Sequence, residues 1–147
     1  MYQHILLPID GSDLSAAAAA QAIGLAQSCG AKITVIHVLP AYLVSPFGGY
    51  GPEDEVARKQ FDENARKAAD GYFAPVLQLA QNTGVACAAR AVASEFAHDG
   101  IIRTARELGC DLIFMASHGR RGIAGVLMGS ETQKVLTHSR IPVLVYR

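Results

Sequence analysis

Net charge is the first thing this chain lacks: among its 147 residues, 13 Lys and Arg are balanced by 13 Asp and Glu, and no basic run occurs. Aromatic residues are scarce, at 7%, and are not interleaved with Lys or Arg. A nucleic-acid surface needs both features, so no nucleic-acid partner is expected. No apolar stretch approaches the ~20 residues of a membrane span, and the N-terminus has no charged segment followed by an apolar signal core. A cytoplasmic protein without a membrane partner is the resulting expectation. Cys29, Cys87 and Cys110 are odd in number and far apart, which excludes the paired spacing of a zinc site or redox dithiol and leaves buried or half-buried free thiols. His4, His37, His98, His118 and His138 show no paired helical spacing with acids, so no metal site made by the protein is expected. An acyl-transfer elbow of the form Gly-x-Ser-x-Gly is absent as well. Ser117 and His118 are sequence neighbours, a relation not expected to set a hydroxyl against its base, so no catalytic residue is assigned.

What is present is an apolar alternation. Half the residues are hydrophobic, and the length is that of one ordinary domain, 1–147. Strand-like runs at Ile5–Ile9, Ile33–Val38, Val85–Val92, Leu112–Ala116 and Val143–Tyr146 alternate with helical stretches at Leu14–Cys29, Glu55–Asn82, Glu95–Leu108 and Glu131–Thr137. Gly30, Gly84 and Gly109 stand where three of these helices should stop. The fold class is therefore α/β: a doubly wound, five-stranded parallel sheet with helices on both faces. In such sheets a ligand sits beyond the carboxyl ends of the strands, where strand order reverses.

The last quarter carries the chemistry. The run Leu112–Met115 leads through Ala116, Ser117, His118 and Gly119 into a loop containing Gly122 and Gly125, and Gly129–Ser130 then opens a helix. Ser130, Glu131, Thr132 and Gln133 have the form of a capping box, with Ser130 as the cap accepting from the Gln133 amide. A glycine-rich loop ahead of unpaired first-turn amides suits an anion, phosphate in particular, although a structural cap behind a surface loop has the same local sequence. Arg120 and Arg121 either neutralise such an anion or are solvated loop residues. The loop has no Gly-Lys-Ser/Thr and no acid before Glu131, so fast phosphoryl transfer is not expected. Asp10, followed by Gly11 and Ser12, either caps the next helix or meets a ligand.

The spacing Ala116, Ser117, His118, Gly119, nine residues, Gly129, Ser130 resembles the nucleotide loop of the universal stress protein family, whose ATP-binding members read Gly, two residues, Gly, nine residues, Gly, Ser or Thr. Ala116 stands where the first glycine belongs. The first strand with its Asp10-Gly11-Ser12 and the last, Ile141–Val145, also resemble that family's, so the match spans the chain. The resemblance implies strand order 3-2-1-4-5, a fold like that of adenine nucleotide alpha-hydrolases, and a crevice between the first and fourth strands. It implies adenine and ribose contacts at Pro8, Asp10 and Val38, with Ile9 and Met115 at the converging strand ends. It further implies a triphosphate held by Ser117, His118, Gly119, Gly129 and Ser130; Ala116 and Arg120 beside them, and Glu131 and Thr132 in the first turn behind them, complete the candidate binding set. ATP, with magnesium brought by the nucleotide, is the implied cofactor, and hydrolysis or autophosphorylation is slow at most. The last strand, Pro142–Arg147, is an apolar edge, for which pairing with a second copy is both the physical expectation and the implication of the resemblance. The alternative is a nucleotide-free dimeric interaction module in which Ala116 and the loop have abolished the pocket. The segment 39–54, rich in Pro, Gly and Tyr, is either a lid or partner loop or a plain insertion.

Overall fold

The computed structural model describes residues 1–40, 52–119 and 128–147. Of the segment 39–54 read as a loop, Leu39 ends the second strand and Pro52 begins the second helix, while residues 41–51, together with Arg120, Arg121, Gly122 and Gly125, lie outside the described residues. Strand and helix alternate as β1 (His4–Pro8), α1 (Asp13–Cys29), β2 (Lys32–Leu39), α2 (Pro52–Thr83), β3 (Cys87–Ala93), α3 (Ala97–Glu107), β4 (Leu112–Ala116), α4 (Ser130–His138) and β5 (Val143–Tyr146). All strand pairs are parallel, in the order β3-β2-β1-β4-β5. The centre strand β1 sets Ile5 opposite both Ile33 of β2 and Leu112 of β4.

Period-two alternation in the strands makes two cores. Ile5, Leu7, Ile33, Val35, Leu112 and Phe114 point to one face and are covered by Ala18, Ala22 and Ile23 of α1 and Phe73 and Val76 of α2. Leu6, Ile36, Ile113 and Met115 point to the other, under Ile101, Ile102 and Ala105 of α3 and Val135 of α4. Strands buried on both faces explain why the runs are continuously apolar rather than alternating.

Three helices stop at glycine. Gly30, Gly84 and Gly109 take φ of 69°, 72° and 65°, and in each case the following amide, of Ala31, Val85 or Cys110, bonds back to the carbonyl of Ala26, Ala80 or Ala105 at 2.8–2.9 Å. This six-to-one closure explains the late start of β3: Val85 is spent on the cap of α2, and the strand begins at Cys87 rather than Val85. Helix α2 runs unbroken through Pro75, whose missing amide would have bonded to Gly71. Among the described residues no helix is long and apolar enough to cross a membrane.

Candidate functional site

The chain leaves β1 toward α1 and leaves β4 toward α4 on opposite faces of the sheet, so the segments following these two neighbouring strands part and leave a crevice of about 1080 Å³. Pro8, Ile9 and Asp10 line it from one side, Met115, Ala116, His118 and Gly119 from the other. Gly129, Ser130, Glu131 and Thr132 close it at the start of α4, and Val38 reaches it from the end of β2. Twelve of the fourteen residues singled out from the sequence thus border one space. Of the other two, Arg120 lies outside the described residues, and Ser117 is fully buried behind the lining.

On the β1 side the turn is built by short polar side chains. Asp10 Oδ1 accepts from the Ser12 amide at 3.0 Å, an Asx turn, and the α1 cap is Ser12, whose Oγ accepts from the Ser15 amide at 3.2 Å. Gly11 has φ of 80°, and the space a Cβ would take is filled by the Tyr72 ring of α2. Across the crevice, a Cβ on Gly119 would overlap Asp10 Oδ2, so the two loops approach to the limit that a glycine permits.

On the β4 side, two bonds fasten α4 to the strand end. The Gly129 amide donates to Ser117 O at 2.7 Å, and Thr132 Oγ1 donates to Ala116 O at 3.1 Å. Ser117 is itself tied to β5 through its amide and Tyr146 O at 2.7 Å. The first turn of α4 is thereby held over the crevice, its early amides lacking helical partners.

The capping box expected at Ser130 does not form. The N-cap is Gly129, which has no side chain to bond, and Ser130 is the first helical residue. The Gln133 amide bonds to Gly129 O at 3.0 Å, and its side-chain Nε2 reaches back to Met128 O at 3.3 Å. The tether of Gly129 to Ser117 moves the helix start one residue earlier than the side-chain pattern implies.

Ala116 occupies an ordinary strand position. No non-glycine residue among those described has positive φ, and its methyl group packs in the core on the α1 face. The first glycine of the family pattern is thus replaced without backbone strain.

Ser117 and His118 also differ from the sequence expectation, because Ser117 Oγ lies 2.7 Å from His118 Nδ1. The hydroxyl does face the imidazole. Its burial keeps it from any substrate, which removes it as a nucleophile and leaves the imidazole as the group that meets the crevice.

Glu131 is held by α3. Its Oε2 accepts from the His98 amide at 2.8 Å and stands 2.9 Å from His98 Nδ1, while Oε1 takes Lys134 Nζ at 3.0 Å. Burial pushes this carboxyl up, but the bonds from His98 and Lys134 outweigh it and hold Glu131 below its ordinary 4.5. The residue capping α3, Phe96, gives no side-chain bond, so Glu131 supplies the missing acceptor from another helix.

Residues that sequence reasoning passed over also line the crevice, chiefly Ser15, His37, Ala97, Ile101 and Met128. His37 Nδ1 lies 2.8 Å from Ile9 O, and its ring meets Tyr72 edge-on at 5.2 Å. Its place one residue before Val38 at the carboxyl end of β2 was the available signal. No group of three or more His, Cys, Asp or Glu able to hold a metal occurs among the described residues.

A model described as the universal stress protein family matches residues 1–147. The chain belongs to the universal stress protein family. A universal stress protein of Thermus aquaticus is 33% identical over 150 residues, covering 100% of both chains. One from Methanocaldococcus jannaschii is 31% identical over 149 residues, covering 100% of this chain and 83% of that protein. Of solved structures, the universal stress protein UspA from Lactobacillus plantarum has a TM-score of 0.80 at 26% identity, covering 99% of this chain and 98% of that one. More distant universal stress proteins share the fold as complexes: one with cAMP at TM-score 0.71 and 22% identity, one from Archaeoglobus fulgidus with dAMP at 0.66 and 18%, and one from Arabidopsis thaliana with AMP at 0.66 and 17%.

Proposed function

We propose that this universal stress protein binds an adenine nucleotide, ATP accompanied by magnesium, in the crevice between β1 and β4, and works in the cytoplasm as a dimeric, nucleotide-dependent stress-response module. The observation that carries the reading is the convergence of Asp10, Gly119, Gly129 and Ser130 on one crevice at the switch point of the sheet. Two positions in it are crowded: a Cβ at Gly119 overlaps Asp10 Oδ2, and one at Gly129 comes within 3.3 Å of Ser117 O. These glycines let the segment after β4 close against Asp10 and let the start of α4 close on Ser117, which brings the first-turn amides of α4 to the crevice, where they suit phosphate. The apolar half of the crevice, from Val38, Ile101 and Met115, suits a flat heterocycle, and the volume of about 1080 Å³ lies just above the ~300–1000 Å³ typical of small-molecule sites. The AMP, cAMP and dAMP complexes of family members support adenine as the base.

Asp10 is placed to accept from a ribose hydroxyl or an amino group, and the first-turn amides of α4 to donate to phosphate oxygens. Magnesium arrives with the nucleotide rather than on a protein ligand set. Hydrolysis is slow or absent. The homodimer forms along the open edge of β5. Titration of nucleotide-stripped protein with ATP and magnesium in a calorimeter tests the reading. A saturable heat with one nucleotide per chain is expected. No heat at high protein concentration overturns it and leaves a nucleotide-free interaction module.

A further inference from the structure

The crevice presents several side chains able to act as nucleophiles, and most are engaged. Ser15 Oγ donates to Ser12 O at 2.9 Å, and Thr132 Oγ1 donates to Ala116 O. His37 belongs to the β2 side, with Nδ1 on Ile9 O and its ring against Tyr72. His118 differs. Its Nδ1 is fixed at 2.7 Å by Ser117 Oγ, a fully buried hydroxyl that can donate to or accept from the ring and so serves either tautomer. The nitrogen left on the opposite edge is Nε2. The residue lies beside the cap of α4, since a Cβ built on Gly129 would stand 3.4 Å from His118 Cα and 3.6 Å from its Cβ. That is the end of the crevice assigned above to phosphate.

We propose that His118 is a phosphoryl acceptor, a reading that rests on the nucleotide site proposed above. A hydroxyl acceptor needs a base to remove its proton, whereas neutral imidazole attacks through its own lone pair. In the tautomer with the proton on Nδ1, donated to Ser117 Oγ, Nε2 attacks the terminal phosphorus of ATP. The Nε2–P bond forms, the bond from that phosphorus to the bridging oxygen breaks, and ADP leaves with the electron pair. The proton stays on Nδ1, and the positive charge gained by the ring is shared with Ser117 Oγ. Ser117 is a positioning residue, setting the ring edge that faces the phosphate.

Intact protein is incubated with ATP and magnesium while the same preparation is titrated calorimetrically. The expected product carries one phosphoryl group, stable in alkali and lost in acid as a phosphoramidate is, and a phosphohistidine signal in phosphorus NMR. Potassium phosphoramidate, which needs no nucleotide site, is expected to label the same residue. His118→Ala and the bulkier His118→Gln both abolish labelling, and Ser117→Ala slows it by roughly tenfold to a hundredfold per bound nucleotide through loss of ring orientation. ATP binding without label, an acid-stable label, or a label that survives His118→Gln overturns the proposal and leaves the binding reading intact. Labelling undiminished by Ser117→Ala overturns the role of that hydroxyl. Absence of ATP binding removes both readings together.

Discussion

Two positions in the segment that follows β4 have opposite tolerance for a methyl group, and their surroundings decide which. Ala116 is a regular strand residue with its side chain in the core, so Ala116→Gly is expected to lower stability by about 0.5–1 kcal/mol through added chain entropy. Its ATP affinity should stay within a few-fold of the parent protein. Thermal melts and calorimetry on the pair check this, and a large gain in affinity on restoring glycine would show that Ala116 obstructs the crevice. Gly119→Ala has the reverse profile. The added Cβ meets Asp10 Oδ2, and Asp10 cannot swing away without giving up the Ser12 amide that sets the turn. A loss of roughly tenfold or more in nucleotide affinity, about 1.4 kcal/mol, is expected, read in the same titration.

At the scale of elements, α3 and α4 depend on each other through Glu131. Glu131→Gln removes the charged acceptor of the His98 amide and imidazole and the partner of Lys134. The side chain is 39% exposed, so screening limits the cost, and a fall of about 0.5–1 kcal/mol in denaturant unfolding is expected. Amide exchange should rise selectively in the first turn of α3; no change there would assign the cap to another group. This link joins residues 33 apart and leaves no trace in periodicity, which is why the sequence showed Glu131 only as a first-turn acid. What the sequence did show was whatever rests on local pattern. Continuous apolar runs marked the five strands, glycines marked three helix ends, and the spacing from Ala116 to Ser130 marked residues that border one crevice. The misses have the same origin. Val85 was read into β3 because apolarity cannot reveal that its amide closes α2, and Ser130 was read as a cap because side-chain spacing cannot reveal that Ser117 O captures the Gly129 amide. The Ser117–His118 bond needs rotamers that adjacency alone does not specify.

For the whole molecule, acid stability follows from groups remote from the crevice. Asp111 accepts from the amides of Gln3 and His4 at 2.8 and 3.0 Å, which outweighs the upward push of its burial and holds it below 3.8. Burial, with Lys32 nearby, lowers His4 from 6.5. All three shifted groups, Asp111, Glu131 and His4, therefore bind protons more readily unfolded than folded, so stability is complete above their ordinary values and declines as pH falls. A melt series should show one decline setting in below pH 6.5 and a second below 4.5, with His4→Gln removing the first. The dimer proposed above rests on the open edge of β5. The carbonyls of Pro142 and Tyr146 turn inward to Ile113 and Ser117, so the alternate residues Val143 and Val145 turn their backbone groups outward. Val145→Pro removes an outward amide while sparing the bonds to β4, and light scattering is expected to find monomer in place of dimer with ATP affinity retained. The Glu131 clamp has a further consequence in time. Synthesis runs from the N-terminus, so α3 emerges complete while the acceptor for its His98 amide is still to be translated. Until then that amide has only water to bond, and a nascent chain halted short of residue 131 differs from a finished one by an α3 without its cap.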